Sequence, residues 1–208
     1  MALIGLISDV HATPGPVAEA LSVFERAGVE QVFCAGDIAG YREQLEPTVE
    51  LLVASGCQSV IGNHDLQYLD HLDDEVDTVA ADFLGKLPTF IDTVIADKRF
   101  YLVHAQPPEA CHGGIKLLDR DGNLKPGPVA EWTERLAAFA PDVLVVGHTH
   151  QVFAETLGGT LVVNPGSSAF NNSCAILNLP ELSVTFHALG GTAIEKTWNW
   201  AVHAIRGG

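Results

Sequence analysis

Seven side chains of metal-ligand type fall into five short clusters, and each cluster directly follows an apolar run. They are Asp9 with His11, Asp37, Asn63, His104, and His148 with His150; His64 stands beside Asn63. Carboxylate, imidazole and amide oxygen without thiolate suit Mn, Fe, Zn, Ni or Co rather than a structural zinc site. One ion rarely takes this many groups from five loops. Two divalent ions sharing one bridging carboxylate fit better. Asp9 and His11 are i and i+2, as are His148 and His150, and an extended chain points such pairs the same way. Gly36, Gly62 and Gly147 precede the donors, as suits sharp backbone turns at a crowded site.

The elements that must position these donors read as an α/β fold with a parallel sheet. Residues 2–7 form a short apolar strand ending at Ser8-Asp9. Thr13 caps a helix with Pro14 in its first turn, an apolar stripe of Val17, Leu21 and Phe24, and a stop at Gly28. A strand at 31–35 breaks at Gly36-Asp37, a helix covers 43–54, and a strand at 58–61 breaks at Gly62-Asn63. This β-α-β-α-β order implies parallel strands joined by crossover helices. In such sheets ligands bind beyond the carboxyl ends of the strands, where the donors stand. Helices are expected at 66–72, 76–87 and 129–139. Strands are expected at 93–95, 100–103, 143–146, 152–156, 160–163, 175–179 and 183–188. Residues 105–128, rich in Gly and Pro, read as a long functional loop. Ile194, Trp198, Val202 and Ile205 fit a helical stripe.

Composition bounds the function. The chain of 208 residues predicts a single domain over 1–208, and 47% apolar residues supply a sizeable core. The formal charge of −15, from 11 basic and 26 acidic residues, argues against an extended nucleic-acid interface. A small anionic substrate stays open, because bound cations can dominate the local field. No apolar run reaches the ~18–20 residues needed to span a bilayer. The opening MALIGLISD reads as a strand rather than a signal peptide, and a cytoplasmic location without membrane contact is the expectation. Cys34, Cys57, Cys111 and Cys174 form no C-x-x-C pair and read as reduced thiols.

Taken together, Asp9-Val10-His11, Gly36-Asp37-Ile38-Ala39-Gly40, Gly62-Asn63-His64-Asp65, His104 and Gly147-His148-Thr149-His150 resemble the five-block signature of the calcineurin-like metallophosphoesterases. Asn164-Pro165-Gly166-Ser167 resembles a further element of the small bacterial phosphodiesterase branch. The resemblance implies a four-layer α-β-β-α sandwich with two mixed sheets. It also implies a dinuclear centre, with Mn favoured. Asp9, His11 and His150 would hold one ion, Asn63, His104 and His148 the other, and Asp37 would bridge them. His64 matches the family's catalytic histidine that is not a ligand. The implied activity is phosphoesterase, with diesters favoured over monoesters and attack by a metal-bridging hydroxide. The implied substrate is a small phosphate ester. Its alternative is a non-catalytic metal-binding or protein-interaction scaffold of the same fold, which intact donors and His64 disfavour.

Departures bear on the substrate. The family's Gly after the fourth-block His is Ala105 here, and the stretch Ser168-Ala169-Phe170-Asn171-Asn172 lacks the Arg found in relatives. Gly40-Tyr41-Arg42 replaces the Asp-Arg-Gly of protein phosphatases, disfavouring that activity. Arg42, Lys116, Arg120 and Lys125 are the candidates for phosphate recognition, with the 105–128 loop overhanging the leaving-group side. Asp65 either orients His64 or caps the next helix. His71, His112, His187 and His203 read as surface, loop or sheet residues. Asp119 to Asn123 reads as a turn rather than a calcium loop, because Ala130 stands where the bidentate Glu is needed. The acidic Asp70, Asp73, Asp74, Glu75 and Asp77 read as a solvated face. Trp198 and Trp200 read as tail packing or a subunit contact, which leaves a homo-oligomer open.

Overall fold

The computed structural model describes residues 2–72 and 78–198. Asp73, Asp74, Glu75, Val76, Asp77, Trp200, Val202, His203 and Ile205 of the expectations above lie outside the described residues. Among the described residues fifteen elements follow in order: β1 (Ala2–Ile7), α1 (Pro14–Ala27), β2 (Gln31–Cys34), α2 (Leu45–Ala54), β3 (Gln58–Ser59), α3 (Asn63–Asp70), α4 (Val79–Leu84), β4 (Phe90–Ile95), β5 (Lys98–Val103), α5 (Pro126–Phe139), β6 (Val143–Val145), β7 (Val152–Leu157), β8 (Thr160–Pro165), β9 (Ser173–Leu179) and β10 (Ser183–Ala188).

The strands form two mixed five-stranded sheets, β10-β9-β1-β2-β3 and β4-β5-β6-β8-β7. In the first, β1, β2 and β3 run parallel and β9 is antiparallel to β1. In the second, β5, β6 and β8 run parallel, flanked by antiparallel β4 and β7. Strand alternation sorts the side chains into layers. Ile4 and Leu6 of β1 face Phe100 and Leu102 of β5 in a core between the sheets. Ile7 packs outward with Val17 and Phe24 of α1 and Leu52 of α2. Tyr101 and Val103 pack outward on the other side with Trp132 and Leu136 of α5. Three apolar interfaces separate four layers, helix, sheet, sheet, helix, as expected.

Local departures have physical causes. Thr13 precedes α1 but its hydroxyl bonds the Val10 carbonyl, so it gives no side-chain cap; Pro14 and left-handed Gly28 bound the helix instead. The buried stripe of α1 is Val17, Ala20 and Phe24, with Leu21 half-buried. α3 starts at Asn63 rather than Leu66, because its first turn is polar and lies outside any apolar stripe. The 105–128 segment is not a solvated loop. Ile115, Leu117 and Leu118 are buried against α5, and Gln151 exchanges bonds of 3.0 and 2.9 Å with the Leu118 backbone. The Asp119–Asn123 turn is as expected, with Asp119 accepting the Asp121 and Asn123 amides. Ile194 and Trp198 lie on no helix; residues 196–198 pair with the chain entering β7.

Candidate metal centre

The donors leave the carboxyl ends of strands in both sheets. Asp9 and His11 follow β1, Asp37 follows β2, Asn63 and His64 follow β3, His104 follows β5, and His148 and His150 follow β6. The ends are laced together: the amides of Asp9 and His11 bond the carbonyls of Gly36 and Asp37 at 2.9 and 3.0 Å, and the Gly147 amide bonds the His104 carbonyl at 2.7 Å. Convergence of the i, i+2 pairs does not come from extended backbone. Asp9, His11, Asp37, His148 and His150 all have φ between 45° and 63°, left-handed turns that non-glycine residues rarely adopt. Such strain concentrates where surrounding structure enforces it at functional sites.

The glycines before the donors serve different needs. Gly36 has φ of 92° and requires a residue without Cβ. Gly62 and Gly147 are there for close approach: a Cβ on Gly62 would overlap the Asp37 carboxylate, and one on Gly147 would overlap the Ser8 hydroxyl.

Two groups of ligand atoms result, Asp9-His11-His150 and Asp37-His104-His148. In the first, His150 Nε2 lies 3.4 Å from Asp9 Oδ1 and 3.3 Å from His11 Nε2. In the second, His104 Nε2 lies 3.4 Å from Asp37 Oδ1. Asn63 Oδ1 joins this second group, 3.1 Å from His104 Nε2 and 2.8 Å from His148 Nδ1. Backbone carbonyls set the tautomers: His11 Nδ1 faces Ala39 O at 3.1 Å and His104 Nδ1 faces Ala35 O at 2.6 Å. Each ring thus turns Nε2 inward, the usual arrangement behind metal-ligating histidines. The residues present therefore fit two divalent cations.

Burial pulls the His11 and His148 imidazoles down to about 4, so both rings are neutral at pH 7. Burial also opposes a proton on His104, but the Asp37 and Asp9 carboxylates outweigh it and hold that group up at about 9. Burial works against the Asp9 and Asp37 carboxylates too, yet the facing histidines keep both below the usual range. Asp9 is further held by the Ser8 hydroxyl at 2.5 Å and the His148 amide at 3.0 Å.

His64 stands outside both ligand groups. Its amide donates to Asp37 Oδ1 at 2.8 Å, and its ring lies 4.5 Å from Tyr41 and 5.2 Å from His11. Asp65 does not orient it. The buried Asp65 carboxylate accepts the Gly62 and Ala39 amides at 2.8 and 2.7 Å, tying the first turn of α3 to the second ligand loop. Burial, with Asp37 nearby, pushes this carboxyl up to about 7.

A cavity of about 240 Å³ opens over the donors, lined by Asp37, Asn63, His64, His148 and His150, with Tyr41, Thr149, Lys116 and Trp198. Of the four candidate basic residues only Lys116 reaches it. Arg42 lines an adjoining cavity that shares Tyr41. Arg120 and Lys125 line neither: the Arg120 carbonyl accepts the Thr197 hydroxyl, and Lys125 begins α5. A larger cleft of about 630 Å³, between Phe186 and residues 152–155, holds none of the donors.

Sequence reasoning missed the residues that brace the site. Asn164 Nδ2 donates to Gly147 O and Thr149 Oγ1, both at 3.0 Å, and Ser167 Oγ donates to Asp9 O at 2.6 Å. Asn171 Nδ2 donates to His150 O at 3.0 Å. The Asn-Pro-Gly-Ser element was the one visible signal for them.

Comparison with known proteins agrees with this geometry. The family model of the calcineurin-like phosphoesterase superfamily domain matches residues 2–179. An uncharacterized protein of Methanocaldococcus jannaschii is 28% identical over 180 residues, covering 79% of this chain and 69% of that protein. A metallophosphoesterase from Sphaerobacter thermophilus superposes with a TM-score of 0.69 at 22% identity, over 90% of this chain and 88% of its own. A protein described as a novel archaeal phosphodiesterase superposes with a TM-score of 0.60 at 19% identity, over 90% and 99%. Among the described residues no helix is long and apolar enough to cross a membrane.

Proposed function

The chain belongs to the calcineurin-like phosphoesterase superfamily, and from that premise we propose that it is a dinuclear phosphodiesterase acting on small phosphate esters. The observation that carries this reading is the pair of ligand groups, each with donors from both sheets, converging under one cavity. Asp9, His11 and His150 would hold one cation and Asn63, His104 and His148 the other, with Asp37 as the carboxylate they would share. Divalent ions, Mn preferred, would supply acidification of a water and charge to offset that of the phosphate. Lys116, exposed and lining the cavity, adds one cation for a phosphate oxygen. His64, near both ligand groups but in neither, donates a proton or hydrogen bond to the leaving oxygen. A diester is favoured because one cation besides the ions suits a single negative charge. The scaffold alternative, metal-binding or not, leaves His64 without a use.

Chelated protein reloaded with Mn, Fe, Zn, Ni or Co tests the reading. It expects two ions per chain, one in Asp37→Asn, and kcat/KM at least ~10-fold higher for bis(p-nitrophenyl) phosphate than for p-nitrophenyl phosphate, a difference of about 1.4 kcal/mol. One ion per chain at saturation, with Asp37→Asn binding it unchanged, would sink the dinuclear assignment. Equal or reversed ester preference would sink the diesterase.

A further inference from the structure

Tyr41 and Trp198 line the metal cavity, and Phe170 joins them into an aromatic row whose parts come from three distant segments. Tyr41 follows β2, Phe170 follows β8, and Trp198 belongs to the chain after β10. The Phe170 and Trp198 rings are stacked, 4.2 Å apart at 18°. Phe170 lies 5.5 Å from the His150 ring and 5.3 Å from that of His11. Tyr41 closes the row, 5.5 Å from Phe170 and 4.6 Å from His11. Trp198 itself lines the cavity, together with His64, His148 and His150. It thus packs in the tail, as the sequence suggested, and also reaches the site.

The placement of Trp198 is built rather than incidental. Asn171, wholly buried, donates from Nδ2 to Glu195 O at 2.6 Å as well as to His150 O. The Glu195 amide returns a bond to Asn171 O at 3.0 Å. The Val152 amide bonds Lys196 O at 2.9 Å, and the Trp198 amide bonds His150 O at 3.1 Å. Residues 195–198 form a strap across the ligand loop that carries His150. A ring fixed in this way loses little freedom when a ligand stacks on it. The rest of the lining is Asp37, Asn63, His148 and His150 with His64, Thr149 and Lys116. A phosphate bound over the donors would share the cavity with Trp198.

We infer that Trp198, held by the 195–198 strap, is a specificity-determining residue that selects phosphate esters carrying a planar aromatic group, whether aryl or nucleoside, on the side of Asp9, His11 and His150. The inference rests on the phosphoesterase reading and names its substrate class. Stacking on an indole favours a planar ring over an aliphatic group of any kind.

Equilibrium binding to the Mn-loaded full chain tests it without turnover. Calorimetry with thymidine 5′-phosphate, phenyl phosphate and methyl phosphate should show the ring-bearing ligands ~10-fold tighter than methyl phosphate, equivalent to about 1.4 kcal/mol. Tighter thymidine 5′-phosphate than phenyl phosphate identifies a nucleoside ester; equal affinities identify aryl esters generally. Trp198→Leu keeps apolar packing on Phe170 and should erase the preference while methyl phosphate affinity and metal content stay at parent values. Trp198→Phe should retain most of it. A parent without ring preference, or Trp198→Leu with the preference intact, overturns the inference. So does a parallel loss for all three ligands together with metal, which would make the ring structural. Because the readout is affinity rather than cleavage, a failed turnover assay counts against the proposed function and a failed ligand series against Trp198.

Discussion

His64 is held on three sides without its ring joining a ligand group. Its amide is tied to Asp37 Oδ1, Tyr41 lies against its ring, and a Cβ on Gly40 would stand 2.9 Å from its Nδ1. That seat fixes the ring near both groups while leaving a nitrogen to act on a departing oxygen. A group in that position matters in proportion to how poor the leaving group is. His64→Ala should therefore keep both ions and lose ~10²–10⁴-fold in turnover of an unactivated alkyl diester, the usual scale of general acid–base catalysis. The loss should shrink for a p-nitrophenyl ester, whose leaving group needs less protonation. Metal analysis beside kinetics on the two esters decides; an alkyl diester cleaved at the parent rate would remove His64 from catalysis.

The elements that carry ligands are short, and much of the precision of the site comes from the loops between them. Asn164 at the end of β8 is the clearest case. Its side chain holds the Gly147 carbonyl and the Thr149 hydroxyl, and its Oδ1 accepts the Gly166 amide at 2.9 Å. Asn164→Ala leaves the buried Gly166 amide unpaired and takes one of two donors from the Gly147 carbonyl, which keeps the Thr149 amide at 2.7 Å. At ~1–3 kcal/mol for an unmet buried group, a loss of about 2 kcal/mol is expected, or a Tm lower by roughly 4–8 °C at this chain length. Metal affinity should fall as well, by ~10–100-fold, since the loop bearing His148 and His150 loses its brace. Unchanged melting and metal titration curves would show that the loop holds itself. What was legible in the chain divides along the same line. Apolar runs ending in Asp, Asn or His gave strands and donors, because burial imposes a pattern that a sequence must repeat. The start of α3, the strap at 195–198 and the aromatic row of Tyr41, Phe170 and Trp198 were not legible. Each is set by partners far along the chain and by turns with no periodicity.

At the scale of the molecule, each ligand group is a cross-link between the sheets. Asp9 and His11 come from the first sheet and His150 from the second; Asp37 comes from the first and His104 and His148 from the second. Elsewhere the sheets meet through the apolar layer of Ile4, Leu6, Phe33, Phe100 and Leu102. The buried Asp9, His11, Asp37 and His104 lie beyond the strand ends, with relative exposures of 0–2%. Without cations these groups carry the cost of mutual burial, offset only by one another. With cations the same groups are paired across both sheets, and an unfolded chain has no equivalent site. Binding free energy then appears as folding free energy. At free metal ~100-fold above Kd each site adds about 2.7 kcal/mol, which corresponds to roughly 5–11 °C in Tm. The Mn-loaded protein should therefore melt well above the chelated protein, by up to twice that interval with both sites filled. In Asp37→Asn the gain should fall to about one site's share, because only the group of Asp9, His11 and His150 stays complete. Scanning calorimetry at fixed free Mn measures all three samples. Coincident melting of the loaded and chelated parent would show that the ions, if bound, do not join the sheets.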